Sequence, residues 1–216
     1  MKFNALLLAA TAAMALVSVP TQASVLVNNS PDATGFVASF NASNRATGQN
    51  FLFRFTLTSA AKLTGASIYS TFGAAAVGDG VVFKLRSDAG GQPSAINLAT
   101  FSSTLDAVDN LGSTANPALR RLHASFMSGV LAPGTYWGGL SGTNEIGMDI
   151  AFNGSGQLWQ LSGDNNQFAL GSAPFQIEGI GAVPEPATWA FMILGFGLVG
   201  GAMRSARRQT VRVTYA

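Results

Sequence analysis

Side chains able to transfer protons, attack a carbon or hold a metal are scarce in this chain. Its 216 residues contain no cysteine and one histidine, His123. Disulfide frameworks, thiolate zinc sites, cysteine nucleophiles and histidine-based metal clusters are excluded together. His123 lies between Leu122 and Ala124 in a stretch that reads as strand, so its expected role is structural or at the surface. A nucleophilic triad would need serine, histidine and aspartate in a geometry that spacing alone does not supply. Glu145, Asp149 and Glu178 could provide the paired carboxylates of glycoside hydrolysis, but acids at strand ends and turns are ordinarily just solvated. Oxygen ligands for calcium could converge from Asp164-Asn165-Asn166, Asp79 and Asp88, which sit in glycine-rich loops. Turn formation explains the same residues, because Asp and Asn side chains bond to nearby backbone. No catalytic residue, cofactor or metal ligand is assigned, and the chain is not expected to be an enzyme.

The aromatic residues Tyr136, Trp137 and Trp159 carry the other candidate chemistry. An exposed ring is a flat apolar platform that matches the C–H face of a pyranose sugar. Tyr136 and Trp137 are adjacent, so on a strand they point to opposite faces and only one can be core. Core packing competes with glycan stacking for all three.

Strands must position these residues. Phe51, Phe53, Phe55 and Leu57 alternate with Arg54 and Thr56, and Phe83 and Leu85 alternate with Lys84 and Arg86; a period of two is a half-buried strand. Further strands are expected at 25–28, 36–40, 63–69, 96–101, 119–126, 135–140, 146–152, 157–161 and 175–180. Gly78-Asp-Gly80, the stretch 88–93, Asn153-Gly-Ser-Gly156 and Gly163-Asp-Asn-Asn166 read as turns, and Pro133-Gly134 as a type II turn. Residues 105–111 are expected to form a short helical turn. About ten short strands punctuated by turns predict an all-β, antiparallel β-sandwich of jelly-roll type over residues 24–181. That body carries seven basic and nine acidic side chains, too little positive charge to hold a phosphate backbone, so nucleic acid is not an expected partner.

The two ends differ from the body. Residues 1–23 place Lys2 before a long apolar run, then Pro20 and small residues up to Ala23, the layout of a signal peptide removed by signal peptidase between Ala23 and Ser24. From Pro186 to Met203 eighteen consecutive residues are uncharged, between Glu185 and Arg204. As a helix they would reach about 27 Å, slightly less than the hydrocarbon core of a bilayer. Trp189 would sit at one interface and Arg204, Arg207 and Arg208 at the other, with the arginines on the cytoplasmic side. Gly195, Gly197 and Gly200 satisfy the dinucleotide G-x-G-x-x-G pattern, but no strand precedes them and no acid follows. Gly197 and Gly201 form a G-x-x-x-G pair that frequent glycine produces by chance.

Pro184-Glu185-Pro186, then Thr188-Trp189-Ala190, then an apolar glycine-rich helix, then arginines: this order resembles the PEP-CTERM protein-sorting signal of Gram-negative bacteria, in its PEPxxWA variety. The resemblance implies recognition by an exosortase, a membrane-embedded transpeptidase-like enzyme, and a role linked to exopolysaccharide or biofilm. It implies inner-membrane tethering with the body on the periplasmic side, followed by delivery to the cell surface or extracellular matrix. Gln209 to Ala216 continue past the point where such tails usually end. The stretches 81–93 and 132–137 are also similar to extracellular bacterial sandwich domains that precede this tail. The expected organisation is a signal peptide (1–23), the sandwich (24–181) and a sorting tail (182–216) with motif 184–190, transmembrane helix 187–203 and basic stop 204–208. The leading expectation is a structural or interaction protein of the envelope or matrix, in contact with membrane lipid and with exopolysaccharide as a candidate partner. The alternatives are a carbohydrate-binding module and, more distantly, a polysaccharide-active enzyme.

Overall fold

The computed structural model describes residues 23–30, 40–112, 117–150, 157–181 and 186–206. In chain order the strands are β1 (Ser24–Asn29), β2 (Phe40–Asn44), β3 (Gln49–Leu57), β4 (Ala61–Ser70), β5 (Gly80–Ser87), β6 (Ala99–Thr104), β7 (Ala107–Asn110), β8 (Arg120–Ser125), β9 (Val130–Leu131), β10 (Gly134–Gly142), β11 (Ile146–Ile150), β12 (Leu158–Ser162), β13 (Asn165–Leu170) and β14 (Phe175–Gly181). One helix, α1 (Pro186–Ala206), follows.

Among the described residues every pairing between these strands is antiparallel. One six-stranded sheet runs β1-β14-β4-β8-β7, with β9 also on β4; a second runs β13-β12-β3-β10-β5-β6; β11 and β2 form a small third sheet. The alternation read in the sequence decides which side chains enter the core. Phe51, Phe53, Phe55, Leu57, Phe83, Leu85 and Leu140 from the second sheet meet Ala66, Ile68, Leu122, Ala124, Phe175 and Ile177 from the first. Phe53 stacks on Phe175 at 4.1 Å between ring centroids, and Phe83 on Phe126 at 4.5 Å. Each fully buried side chain of this size contributes roughly 1.5–3 kcal/mol of transfer free energy.

The rings need space on the neighbouring strand, and β10 supplies it. A Cβ on Gly138 would lie 2.6 Å from Phe83 Cζ, and one on Gly139 only 1.9 Å from the Phe51 carbonyl oxygen. The glycine pair between Trp137 and Leu140 is therefore a packing requirement of the central strand.

Several local expectations are corrected. Residues 105–111 hold strand β7 instead of a helical turn, because Ala107 and Val108 pair with His123 and Leu122. β13 occupies residues expected to be turn and loop, and β6 begins at Ala99 instead of residue 96. Gly134 has φ 159°, extended backbone, and is already the first residue of β10. The corner is closed not by a type II turn but by the Tyr136 hydroxyl donating to the Ala132 carbonyl at 2.9 Å. The candidate strand 36–40 lies outside the described residues except for Phe40.

The helix is longer than the expected 187–203 and starts at Pro186, a position where proline's missing N–H costs nothing. Its described apolar side chains, among them Ile193, Leu194, Phe196 and Leu198, are exposed. Among the described residues no helix is long and apolar enough to cross a membrane. The signal-peptide stretch 1–22, the motif residues Pro184 and Glu185, and Arg207 and Arg208 lie outside the described residues.

Candidate functional site

The outer face of the second sheet carries the densest polar cluster. Arg54, Arg86 and Trp137 are cross-strand neighbours on β3, β5 and β10, and Leu52 lies beside Trp159 across β3 and β12. On an open sandwich this face would be solvated. Here the β5–β6 loop and the turn between β12 and β13 fold over it, so Arg86 is 0% exposed and Trp137 2%. Gly163 adopts φ +60°, which glycine tolerates without strain, and the turn it makes delivers Asp164 to the cations.

Arg86 is fully occupied. Its Nε donates to Asn97 Oδ1 at 2.6 Å, Nη1 to the Ser94 carbonyl at 3.0 Å and Asn166 Oδ1 at 2.8 Å, and Nη2 to the Asp164 carbonyl at 2.8 Å. Lys84 Nζ donates to the carbonyls of Ala46 and Gly163 at 2.9 and 2.8 Å and lies 2.9 Å from Asp164 Oδ1. Burial lowers the Arg86 pKa, partly countered by Asp164. Asp164 is held below the usual carboxylate range, first by the hydrogen bond from Lys84 and then by that from Asn97. Nothing in local spacing marks Lys84 and Arg86 as buried; the signal available was the company of Trp137, Leu52 and Leu161 on the same nominally outward face.

This geometry changes how the calcium candidates are read. Asp164 and Asn166 turn their oxygens toward two cations, Lys84 and Arg86, where a further positive ion would be repelled. Asp88 takes Arg54 Nε and the Trp137 indole N–H on Oδ1, at 2.9 and 2.7 Å, and the Gly91 amide on Oδ2 at 3.0 Å. Burial raises the Asp88 pKa, but the Gly91, Trp137 and Arg54 contacts outweigh it and the net shift is downward. Asp79 accepts the Ala76 amide at 2.8 Å and closes its own turn. Among the described residues no group of three or more acidic or histidine side chains is arranged to hold a metal ion.

The aromatic candidates separate. Tyr136 faces the core, tilted against Phe55 at 5.9 Å. Trp137 points the opposite way, as alternation requires, yet is buried as well and offers no ring face. Trp159 is half-buried, meets Trp137 edge-on at 6.0 Å and 83°, and leaves its buried Nε1 without a partner. The structure thus brings two of the three together and leaves accessible surface on Trp159.

On the outer face of the first sheet, His123 stands between two carboxylates. Its Nδ1 meets Asp106 Oδ1, and Nε2 lies 3.3 Å from Glu178 Oε2 without hydrogen-bond alignment. The ring extends over Gly65, where a Cβ would come within 2.8 Å of Nε2. Asp106 also accepts the Ser125 amide at 2.8 Å; burial raises its pKa, and the bonds from Ser125 and His123 bring it below the ordinary value. The three acids considered as a catalytic pair do not share a cleft. Glu145 is exposed beside β11, Glu178 faces His123 on the outer side of the first sheet, and Asp149 is buried against Thr71, which donates to its Oδ1 at 2.9 Å. Burial raises the Asp149 pKa.

The fold and these clusters define an antiparallel all-β body whose polar groups are largely committed to one another, followed by a helical tail. Residues 182–208 match the PEP-CTERM protein-sorting motif. The match includes Pro184, Glu185, Pro186, Trp189, Ala190, Arg204, Arg207 and Arg208, and it indicates export and membrane-associated sorting. No curated protein and no solved structure matches the chain.

Proposed function

We propose that the chain is an exported envelope or extracellular-matrix protein, held at the inner membrane by its tail until an exosortase-like enzyme processes it. The body then serves a structural or interaction role, without catalysis, in a setting linked to exopolysaccharide. The observation that carries this reading is the sorting motif at 182–208, placed directly after the last core strand. Prolines on both sides of Glu185 disfavour helix at the acid and keep that backbone available to an enzyme cleft. Residues 187–203 would insert into the bilayer, and Arg204, Arg207 and Arg208 would stop the helix from slipping further in. Signal peptidase would release residues 1–23. Intact mass measurement of the mature protein tests the scheme. A carboxy terminus near Glu185 is expected; a mature extracellular form ending at Ala216 would overturn processing. Deleting residues 182–216 should also change where the body accumulates.

A second reading, a carbohydrate-binding module, is favoured by one observation, the accessible surface that half-buried Trp159 leaves on the outer face. Binding of the released body to the host's exopolysaccharide, lost in Trp159→Ala, would support it; equal binding by both would remove it.

A further inference from the structure

We propose that the end of the sandwich from which the tail departs is a docking face for the phospholipid headgroup layer. This rests on the reading of the tail as a membrane tether and adds to it a contact made by the body itself.

The topology places one set of residues at that end. Gly181, the last residue of β14, pairs with Ala61, the first of β4, and Ala61 pairs on its other side with Leu131 of β9. Ser24 at the start of β1 lies opposite Gly179. The β3–β4 connection, residues 58–60, closes the same rim. Both the segment before β1 and the tail after β14 therefore leave from one end of the first sheet.

The length of the connection determines what that end faces. Five Cα–Cα steps separate Gly181 from Pro186, a span of at most about 18 Å even when fully extended. The ten residues of β4 alone run about 33 Å. With the helix in the bilayer, the rim is held against the headgroups while the opposite end stands a strand's length away.

The chemistry of the rim suits that neighbour. Val25 is 48% exposed and Val130 57%, and Val130 pairs with the exposed Lys62. A cavity of about 80 Å³ opens between the sheets there, lined by Leu26, Thr56, Leu57, Thr58, Ser59 and Ala61. Of the acids near the rim, Glu178, the cross-strand partner of Val25, and Asp106 both face His123, and Asp88 is bonded to Arg54 and Trp137. Asp79, Asp109, Glu145 and Asp164 belong to loops and strand ends at the far end of the two sheets. Exposed aliphatic groups and Lys62 are placed at the headgroup surface, and these four acids, which an anionic surface would repel, lie away from it.

The absence of native cysteine makes the test direct. The full chain is reconstituted into vesicles of phosphatidylethanolamine and phosphatidylglycerol, with single cysteines at Val130→Cys, Glu145→Cys or Val199→Cys carrying an environment-sensitive fluorophore. Lipids bearing shallow or deep quenchers report contact. Docking predicts shallow quenching at position 130, none at 145 and deep quenching at 199. Lys62→Gln should lower the docked-to-undocked ratio about fivefold, the factor that one basic residue contributes at an anionic surface. Deep quenching at 199 with positions 130 and 145 alike would overturn docking while leaving the tether intact. An unquenched 199 would overturn the tether, and docking with it. Shielding of 130 only on addition of a processing enzyme would overturn lipid as the occupant.

Discussion

Arg86 on β5 and Trp137 on β10 are direct cross-strand partners, and both are buried on a sheet face that alternation assigns to solvent. The cover that buries them is held by the same side chains it hides. Arg86 bonds Ser94 and Asn97 in one covering segment and Asp164 and Asn166 in the other, while Trp137 bonds Asp88.

Removing the guanidinium should release both segments. Arg86→Met leaves carbonyl and amide oxygens buried without donors and should cost about 3 kcal/mol or more in denaturant unfolding. Arg86→Lys keeps the charge but loses the planar fork and should recover only part of that stability.

Asp149 should make the protein less stable as pH rises. Its folded pKa is raised by burial, so across that window the native state binds more protons than the unfolded chain. Its contribution is fully present below the unfolded carboxylate pKa and is lost as pH climbs through the folded value. Asp149→Asn retains an acceptor for Thr71 and cannot ionise. The melting temperature of the variant relative to the parent should therefore increase steadily between acid and neutral pH, as read by a thermal series in matched buffers.

Asp88 should behave in the opposite sense. Its pKa is depressed, so its contribution is present above the unfolded value and is lost as pH falls through the folded one. Asp88→Asn weakens the bonds from Arg54 and Trp137 and should cost about 1–3 kcal/mol at neutral pH. That difference should shrink towards pH 2, and tryptophan fluorescence should report the altered indole environment of Trp137.

Two glycines should respond in opposite directions to the same substitution. Gly139→Ala drives a methyl into the Phe51 carbonyl and should cost more than about 4 kcal/mol or abolish folding. Gly195→Ala meets open space on α1 and should favour the helix by about 1 kcal/mol. Expression and circular dichroism of the body distinguish the first, and helical content in detergent micelles the second.

The primary structure was enough to show that this is an all-β body followed by a sorting tail. The alternation of Phe51, Phe53 and Phe55 requires a strand with one buried face, and the run from Pro184 to Arg204 carries its meaning in consecutive residues. Both signals are local. The reading of β7 and β13 failed because those strands exist through their partners: Val108 is extended by pairing with Leu122, and Ala169 by pairing with Trp159. The outer cluster was hidden for the same reason. Lys84-Leu85-Arg86 has the pattern of a solvated face, and only tertiary structure brought residues 46, 94, 97 and 163–166 over it. A side chain's periodicity tells which way it points from its own strand, whereas its burial depends on what distant chain is folded above it.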